Sequence, residues 1–275
     1  MGGAIERGDA TGYGSARMQF TLETMSFLAA TAFLAGLIDS MAGGGGLLTL
    51  PALLAAGIPP VQALATNKLQ STFGTGSAFL AFWRKGHVDL HMFWLPALGA
   101  FLGSAAGTIL VQGVDSSFLA ALVPVLLILI GLYFLFAPSM SDADRKARLG
   151  RVGLTIVTTT IGFYDGFFGP GTGSFFTTAL VVLGGLGLVR AIGNTKLLNF
   201  STNLASVITM IIGGQVLWAI GFTMAAANIV GNQIGARLAM RYGGRGVRPL
   251  LVVMSFALTA KLLLDPANPL RQLFF

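Results

Sequence analysis

Four ionisable side chains stand inside long apolar stretches of this sequence: Asp39, Lys68, Asp165 and Lys196. Burying a charge in an apolar medium costs several kcal/mol, so such groups are read as functional by default. Each lysine belongs to an amide and hydroxyl cluster, Thr66-Asn67-Lys68 and Asn194-Thr195-Lys196, with Ser71, Asn199 and Asn203 on later turns. Polar groups three or four residues apart share one helix face. This spacing predicts an inward-facing lysine and amide pocket for an anion. The competing expectation is that the lysines snorkel to the nearer interface. Asp39 and Asp165 could take up protons, pair with a lysine or cap a nearby helix, because a buried carboxylate resists ionisation unless paired.

Just downstream of each acid lies a glycine-rich run, Gly43 to Gly46 and Gly169 to Gly173. Glycine lets a helix unwind and lets a ligand approach the main chain. Broken helices at membrane depth are tolerated where they are buried or line a cavity. A short helix starting after each run would aim unpaired N–H groups at that cavity, and a helix N-terminus is an anion site. The candidate substrate-binding residues here are Gly43, Gly44, Gly45, Gly46, Thr49, Gly171, Thr172, Gly173 and Ser174, with Thr177 and Thr178 as further hydroxyls. Asn67, Lys68, Ser71, Asn194, Thr195, Lys196 and Asn199 complete the set. The alternative is that the glycines only allow tight packing.

The elements that hold these residues follow from composition. The chain has 275 residues, of which 54% are hydrophobic and only 10% charged. Soluble domains carry about 25% charged residues, and the mean hydropathy of +0.79 agrees with an integral membrane protein. Its apolar stretches are continuous rather than alternating, which points to helices and not a barrel. They run at about 24–41, 46–56, 61–82, 91–112, 116–137, 151–168, 173–187, 189–212, 217–236 and 247–264. A full crossing needs about 20 residues, so the second and seventh are half-length. The leader before the first stretch holds Glu6, Asp9 and Glu23 against Arg7 and Arg17, without the positive start of a signal peptide. That stretch is read as a membrane segment.

The chain also repeats itself. Val61 to Lys68 falls on Val189 to Lys196 at an offset of 128, as do Gly86 on Gly214, Gly103 on Gly231 and Gly107 on Gly235. Asp39 and Asp165 correspond at 126, the second glycine run carrying two extra residues. The expected architecture is all-α and polytopic, with two inverted five-segment repeats at 24–137 and 151–265, each holding a glycine-broken helix and a half-length helix. A linker at 138–150 joins them, flanked by a polar, disordered 1–23 and a tail at 266–275. If all ten segments cross or nearly cross, loops 84–90, 138–151, 188–190 and 237–248 collect Lys and Arg on one side, while 57–60, 113–115 and 213–216 have none. The positive-inside rule then makes the first side cytoplasmic and both termini extracytoplasmic. Five being odd, the repeats insert in opposite senses, a transporter layout with the site near the midplane.

Other chemistries find no support. There is no cysteine, no H-E-x-x-H and no G-x-S-x-G, so no enzyme is expected and no cofactor is implied. His87 and His91 flank one loop beside Asp89 without a further ligand nearby in sequence, and no metal site is expected there. The basic residues are a topology signal, not a nucleic-acid surface. Gly99, Gly103 and Gly107, like Gly231 and Gly235, follow the small-xxx-small packing pattern.

Gly36-Leu37-Ile38-Asp39 through Gly43–Gly46 to Pro51-Ala52-Leu53-Leu54, then Gly57-Ile58 and Ala63 to Asn67, resembles the TauE/SafE family of membrane permeases. The second-half counterpart, Gly162 to Gly173 and Ala191 to Lys196, does so as well. The resemblance covers about residues 25–265. It implies export or uptake of sulfite, sulfoacetate and other small organosulfur or organic anions across a bacterial inner membrane. The second copy is less pure, with Pro170 and Thr172 among the glycines and Asn194-Thr195 reversing Thr66-Asn67, so unequal half-sites are expected. The reading is a secondary permease, an exporter in its simpler direction, for a small anion such as sulfite, a sulfonate or a carboxylate. Its partners are that anion, the lipid bilayer and, through Asp39 and Asp165, protons; a homo-oligomer is compatible with it. The rivals are a cation or metal permease using the two acids, and a non-transporting membrane subunit.

Overall fold

A computed structural model describes residues 21–136 and 142–242. The tenth apolar stretch, the C-terminal tail and almost all of the N-terminal segment fall outside the described residues. Within them the structure is all-helical, with no strand. The helices are α1 (Leu22–Ala42), α2 (Gly46–Ala55), α3 (Pro60–Arg84), α4 (Leu90–Gln112), α5 (Ser116–Phe136), α6 (Arg151–Phe167), α7 (Thr172–Val182), α8 (Leu188–Ile212) and α9 (Trp218–Tyr242).

Local sequence explains where they start and stop. Thr21 caps α1 by accepting from the Thr24 amide, and Gly43 ends it in the left-handed region at φ 76°, its N–H donating to the Asp39 carbonyl. Such an αL glycine is a common helix stop because it lacks the Cβ that would clash. Pro60 opens α3, where a missing N–H costs nothing. Asp89 caps α4 through the Met92 amide at 2.9 Å.

Leu22–Ala42, Leu90–Gln112 and Ser116–Tyr133 are long and apolar enough to cross a membrane by length and composition. Helices α3 and α8 are 25 residues each but less apolar, because they carry buried polar side chains such as Asn67, Lys68, Asn199 and Asn203. The half-length helices are present as α2 and α7, of 10 and 11 residues. Two boundaries differ from expectation. The seventh segment stops at Val182 and continues to Gly187 as a turn. The ninth runs on to Tyr242, so Arg237 and Arg241 lie on a helix end and not in a loop. Arg241 lies over the Tyr242 ring at 5.1 Å, a contact that lets a cation extend an apolar helix into the interface.

The glycines read as packing residues do pack. Gly103 and Gly107 of α4 abut the main chain of α6 at Thr159 and Phe163, and Gly231 and Gly235 of α9 abut α1 at Phe33 and Leu37. In each pair the contacts advance together along both chains, so α4 runs parallel to α6 and α9 runs parallel to α1. A Cβ on Gly107 would lie 2.8 Å from the Phe167 nitrogen, and one on Gly231 would lie 2.9 Å from that of Leu37. Helices α3 and α8 pack against each other and against both pairs, α3 on α9 and α8 on α4. Residues 142–150 are non-helical and dock on the α7–α8 turn, Arg145 donating to the Gly185 carbonyl and Arg148 and Leu149 to that of Leu183.

Candidate functional site

The two glycine runs meet. A Cβ on Gly173 would fall 2.6 Å from the Gly43 Cα and 2.8 Å from the Asn199 amide nitrogen, so only two glycines permit this approach. Gly171, like Gly43, is left-handed, at φ 83°. The hydroxyl of Ser174 crosses the contact and donates to the Ala42 carbonyl. Neither α2 nor α7 has a side chain capping its first turn. The Gly45 N–H donates instead to the Asp39 carboxylate at 3.3 Å.

Beside this junction lies a cavity of about 40 Å³, room for a few water molecules or a solute of that size. The first glycine run contributes Asp39, Gly43, Gly45 and Gly46; the second contributes Asp165, Gly169, Gly171, Thr172 and Gly173. Helix α3 presents Asn67, Lys68, Gln70, Ser71 and Thr75, helix α8 presents Asn199 and Asn203, and α9 presents Asn228. Most of the residues singled out in the sequence are thereby brought together. Gly44, Thr49, Ser174, Asn194, Thr195 and Lys196 do not line the cavity. Thr49 supports it from behind, donating to Asn67 Oδ1 at 2.6 Å. Thr177 donates to Thr195 at 3.1 Å in the corresponding place. Thr178 meets the Tyr133 hydroxyl at 2.7 Å. Asn194 instead ties α8 to the start of α4, its Oδ1 accepting from the Asp89 amide while its Nδ2 donates to the Arg190 carbonyl.

Both lysines are almost completely buried, at 1% exposure each, so neither snorkels. Each pairs with the acid of the other half. Lys68 Nζ lies 2.9 Å from Asp165 Oδ2, and Lys196 Nζ lies 2.8 Å from Asp39 Oδ2. Across these two pairs the charges sum to zero, two cations against two anions.

The pairs differ in how firmly they are held. Lys196 also donates to the main-chain carbonyl of Asp39, while Asp39 Oδ1 accepts from Gly45. Lys68 holds Asp165 through the ion pair alone, and Asp165 Oδ2 accepts from no other donor. Gln70 Oε1 and Asn199 Oδ1 are likewise buried without a donor. The Gln70 amide is oriented by its Nε2, which donates to Asn67 Oδ1 at 2.9 Å and Ser71 Oγ at 3.1 Å. Lys68 lies close over the Gly169 backbone, where a Cβ would come within 3.1 Å of Nζ.

Gln70, Thr75 and Asn228 were missed in the sequence, and Gly169 was seen only as the start of its run. Thr75 had a signal, standing seven residues beyond Lys68 on the same helix face. Asn228 had none, since it sits among small residues on a packing helix, where it donates to the Ala32 carbonyl at 2.8 Å and accepts from Asn232. His87 and His91 play main-chain roles, their carbonyls accepting from Asn194 and Arg151. No group of three metal-ligating side chains occurs among the described residues.

Comparison with known proteins agrees with the polytopic, apolar architecture. The family described as Sulfite exporter TauE/SafE matches residues 28–262. A probable membrane transporter protein of Haemophilus influenzae is 47% identical over 250 residues, covering 90% of this chain and 98% of its own length. A Sinorhizobium probable membrane transporter protein, ORF9, is 47% identical over 248 residues, covering 90% and 95%. The Escherichia coli probable membrane transporter protein YfcA is 45% identical over 235 residues, covering 85% and 87%. No solved structure matches.

Proposed function

This chain belongs to the sulfite exporter TauE/SafE family, and from that premise we propose that it is a secondary transporter of a small anion such as sulfite, a sulfonate or a carboxylate. The protein is a multi-pass membrane protein. The observation that carries the substrate reading is the polar cavity where two uncapped half-helices meet, inside a largely apolar bundle. Two helix N-termini, a buried ammonium and a ring of amides and hydroxyls are the donor set an anion needs. Its size favours an anion of few heavy atoms. The reading retains Gly43, Gly45, Gly46, Asn67, Lys68, Ser71, Gly171 to Gly173 and Asn199 as substrate-binding residues and drops Gly44. Thr49, Ser174, Asn194, Thr195 and Lys196 act as their supports.

An inverted repeat is part of this proposal, and its support is a set of crosswise equivalences. Gly43 and Gly171, Gly57 and Gly185, and Gly86 and Gly214 all have positive φ and all differ by 128 positions. The ion pairs and the α4–α6 and α9–α1 contacts also exchange between halves, residues ahead of each glycine run corresponding at 126 and those after it at 128. A pseudo-two-fold axis between α3 and α8 accounts for all of them, with Thr75 and Asn203, equivalent residues, facing each other at 3.5 Å. Alternating access by rocking of such repeats about a central site is the corresponding mechanism. The interior-negative membrane potential supplies about 2.3 kcal/mol per charge per 100 mV towards expelling an anion, which favours export across an inner membrane. Proton coupling would run through Asp39 or Asp165.

Cation transport is the weaker reading, because both acids lining the cavity are already held by lysines. The test is flux in proteoliposomes loaded with sulfite, methanesulfonate or acetate. Saturable, mutually competitive efflux of at least one anion is expected. Flux of monovalent or divalent cations with none of these anions would overturn the reading.

A further inference from the structure

We propose, resting on the anion-transport reading above, that the two buried ion pairs do different work. Lys68–Asp165 is the exchangeable pair: the incoming anion takes the place of the Asp165 carboxylate on Lys68, and Asp165 takes up one proton. Lys196–Asp39 is a fixed clasp that holds the break after α1 and does not exchange.

Three observations carry this. Lys68 and Asp165 both line the cavity, whereas Lys196 lies behind Asp39 and does not. Asp39 is bound on all sides: its carbonyl and Oδ2 accept from Lys196, and its Oδ1 accepts from Gly45. Asp165 Oδ2 has the Lys68 ammonium as its one polar partner, so its release breaks one contact only. The sequence supplies the reason for the inequality. The second glycine run carries two extra residues, and Gly169, at φ 97°, leaves its backbone open beneath Lys68.

Charge balance then sets the stoichiometry. With both pairs made, the site is neutral, and a bare anion entering it would leave a buried net charge. Protonating Asp165 restores neutrality: one O–H bond forms, Lys68 keeps its proton, and the anion becomes its counter-ion. The new O–H has acceptors in the same cavity, Gln70 Oε1 and Asn199 Oδ1, both now without donors. Among the described residues, the other carboxylate lining the cavity, Asp39, is held by Lys196. Helix α4 offers the hydroxyls of Ser104 and Thr108, already bonded to Ser206. Helix α7 offers Thr172, and α8 offers Asn199, Asn203 and the engaged Lys196. On α6 itself Tyr164 donates to the Pro170 carbonyl at 2.7 Å.

The experiment counts protons on purified full-length protein in weakly buffered detergent solution with a pH indicator. The probe is methanesulfonate, which stays ionised throughout and brings no proton of its own. Wild type should take up one proton per anion bound, and its affinity should fall about tenfold per pH unit wherever Asp165 is ionised in the empty protein. Asp165→Asn should bind with no proton uptake and no pH dependence, and the charge-neutral double variant Asp39→Asn with Lys196→Met should keep the count at one. Binding without proton uptake in wild type overturns this proposal and leaves the transport reading intact, and that measurement needs no variant to fold. A count of one in Asp165→Asn overturns it as well. Failure of sulfite, methanesulfonate and acetate alike to bind saturably overturns the transport reading and this proposal together.

Discussion

At the scale of single residues, the site is governed by what a buried charge requires. Removing one partner of a buried pair costs about 3–5 kcal/mol, because the other is left uncompensated. Lys196→Met should therefore lower the thermal stability of the purified protein by about that much, and adding Asp39→Asn should recover most of it. The recovery is the check, since a loss of packing alone would not be repaired by changing the acid. Lys68→Met predicts a different phenotype. It removes a charged hydrogen bond to the anion, roughly 1.5–3 kcal/mol, so binding of sulfite should weaken about ten- to a hundredfold, read by equilibrium titration of folded protein. Unchanged affinity would remove Lys68 from the site. The sequence exposed these lysines plainly, because a charge in an apolar stretch is conspicuous. It could not show which acid each one meets, since Asp165 and Lys68 lie about a hundred positions apart in sequence and are joined only by the packing of α3 on the second half. For the same reason Asn228 escaped notice: an asparagine among glycines and alanines looks like any packing residue until α9 is seen to run along α3.

At the scale of elements, the break between α1 and α2 and its counterpart before α7 are what the glycines make possible. Gly57 supplies a control, because it too has positive φ, 79°, yet nothing lies within 4 Å of an added Cβ. Gly57→Ala pays only the backbone term, about 1–2 kcal/mol, and should leave anion binding intact. Gly43→Ala adds a clash with the Gly173 main chain, and should abolish binding or folding. Equal behaviour of the two variants in thermal unfolding and anion titration would show that the junction is not tightly fitted. The linker makes a separate case. Asp144 accepts from the Gly187 N–H and from Arg190, both at 2.6 Å, and first that amide and then the Arg190 guanidinium hold its carboxyl below the usual carboxylate range. Its folded-state value being lowered, the contribution to docking is complete above the ordinary value near 3.9 and is lost as pH falls through the lower one. Asp144→Asn should mimic that loss at neutral pH. Trypsin cleavage after Arg145 or Lys146 should then speed up several-fold, measured by mass spectrometry. Helix existence was legible here from apolar length alone. Helix ends were not: Arg237 and Arg241 look like loop residues until a helix end is allowed to carry them into the interface.

At the scale of the whole molecule, the proposed orientation rests on parity. With five segments per half, counting the half-length one as a change of direction, the halves would insert in opposite senses. That α4 runs parallel to α6 means that α5 returns the chain between them. The half-helices decide the outcome. If α2 and α7 did not reverse the chain, the basic stretches 84–90 and 237–248 would lie on opposite faces, and the charge asymmetry would vanish. Because the protein has no cysteine, single cysteines give a clean test without background. Val114→Cys and Gln215→Cys, in turns that carry no lysine or arginine, should react with an impermeant maleimide from outside intact cells. Lys85→Cys and Ala147→Cys should react only after the membrane is opened. Val114 and Lys85 bracket α4, so they report opposite sides in any reading that lets α4 cross. The decisive comparison is therefore between halves. Lys85 and Gly213 are equivalent at the 128 offset, and an inverted repeat puts them on opposite sides of the membrane. Lys85→Cys protected with Gly213→Cys labelled is the expected result. Equivalent positions reporting the same side would mean parallel repeats, an axis normal to the membrane, and two half-helices that no longer approach one site from opposite faces.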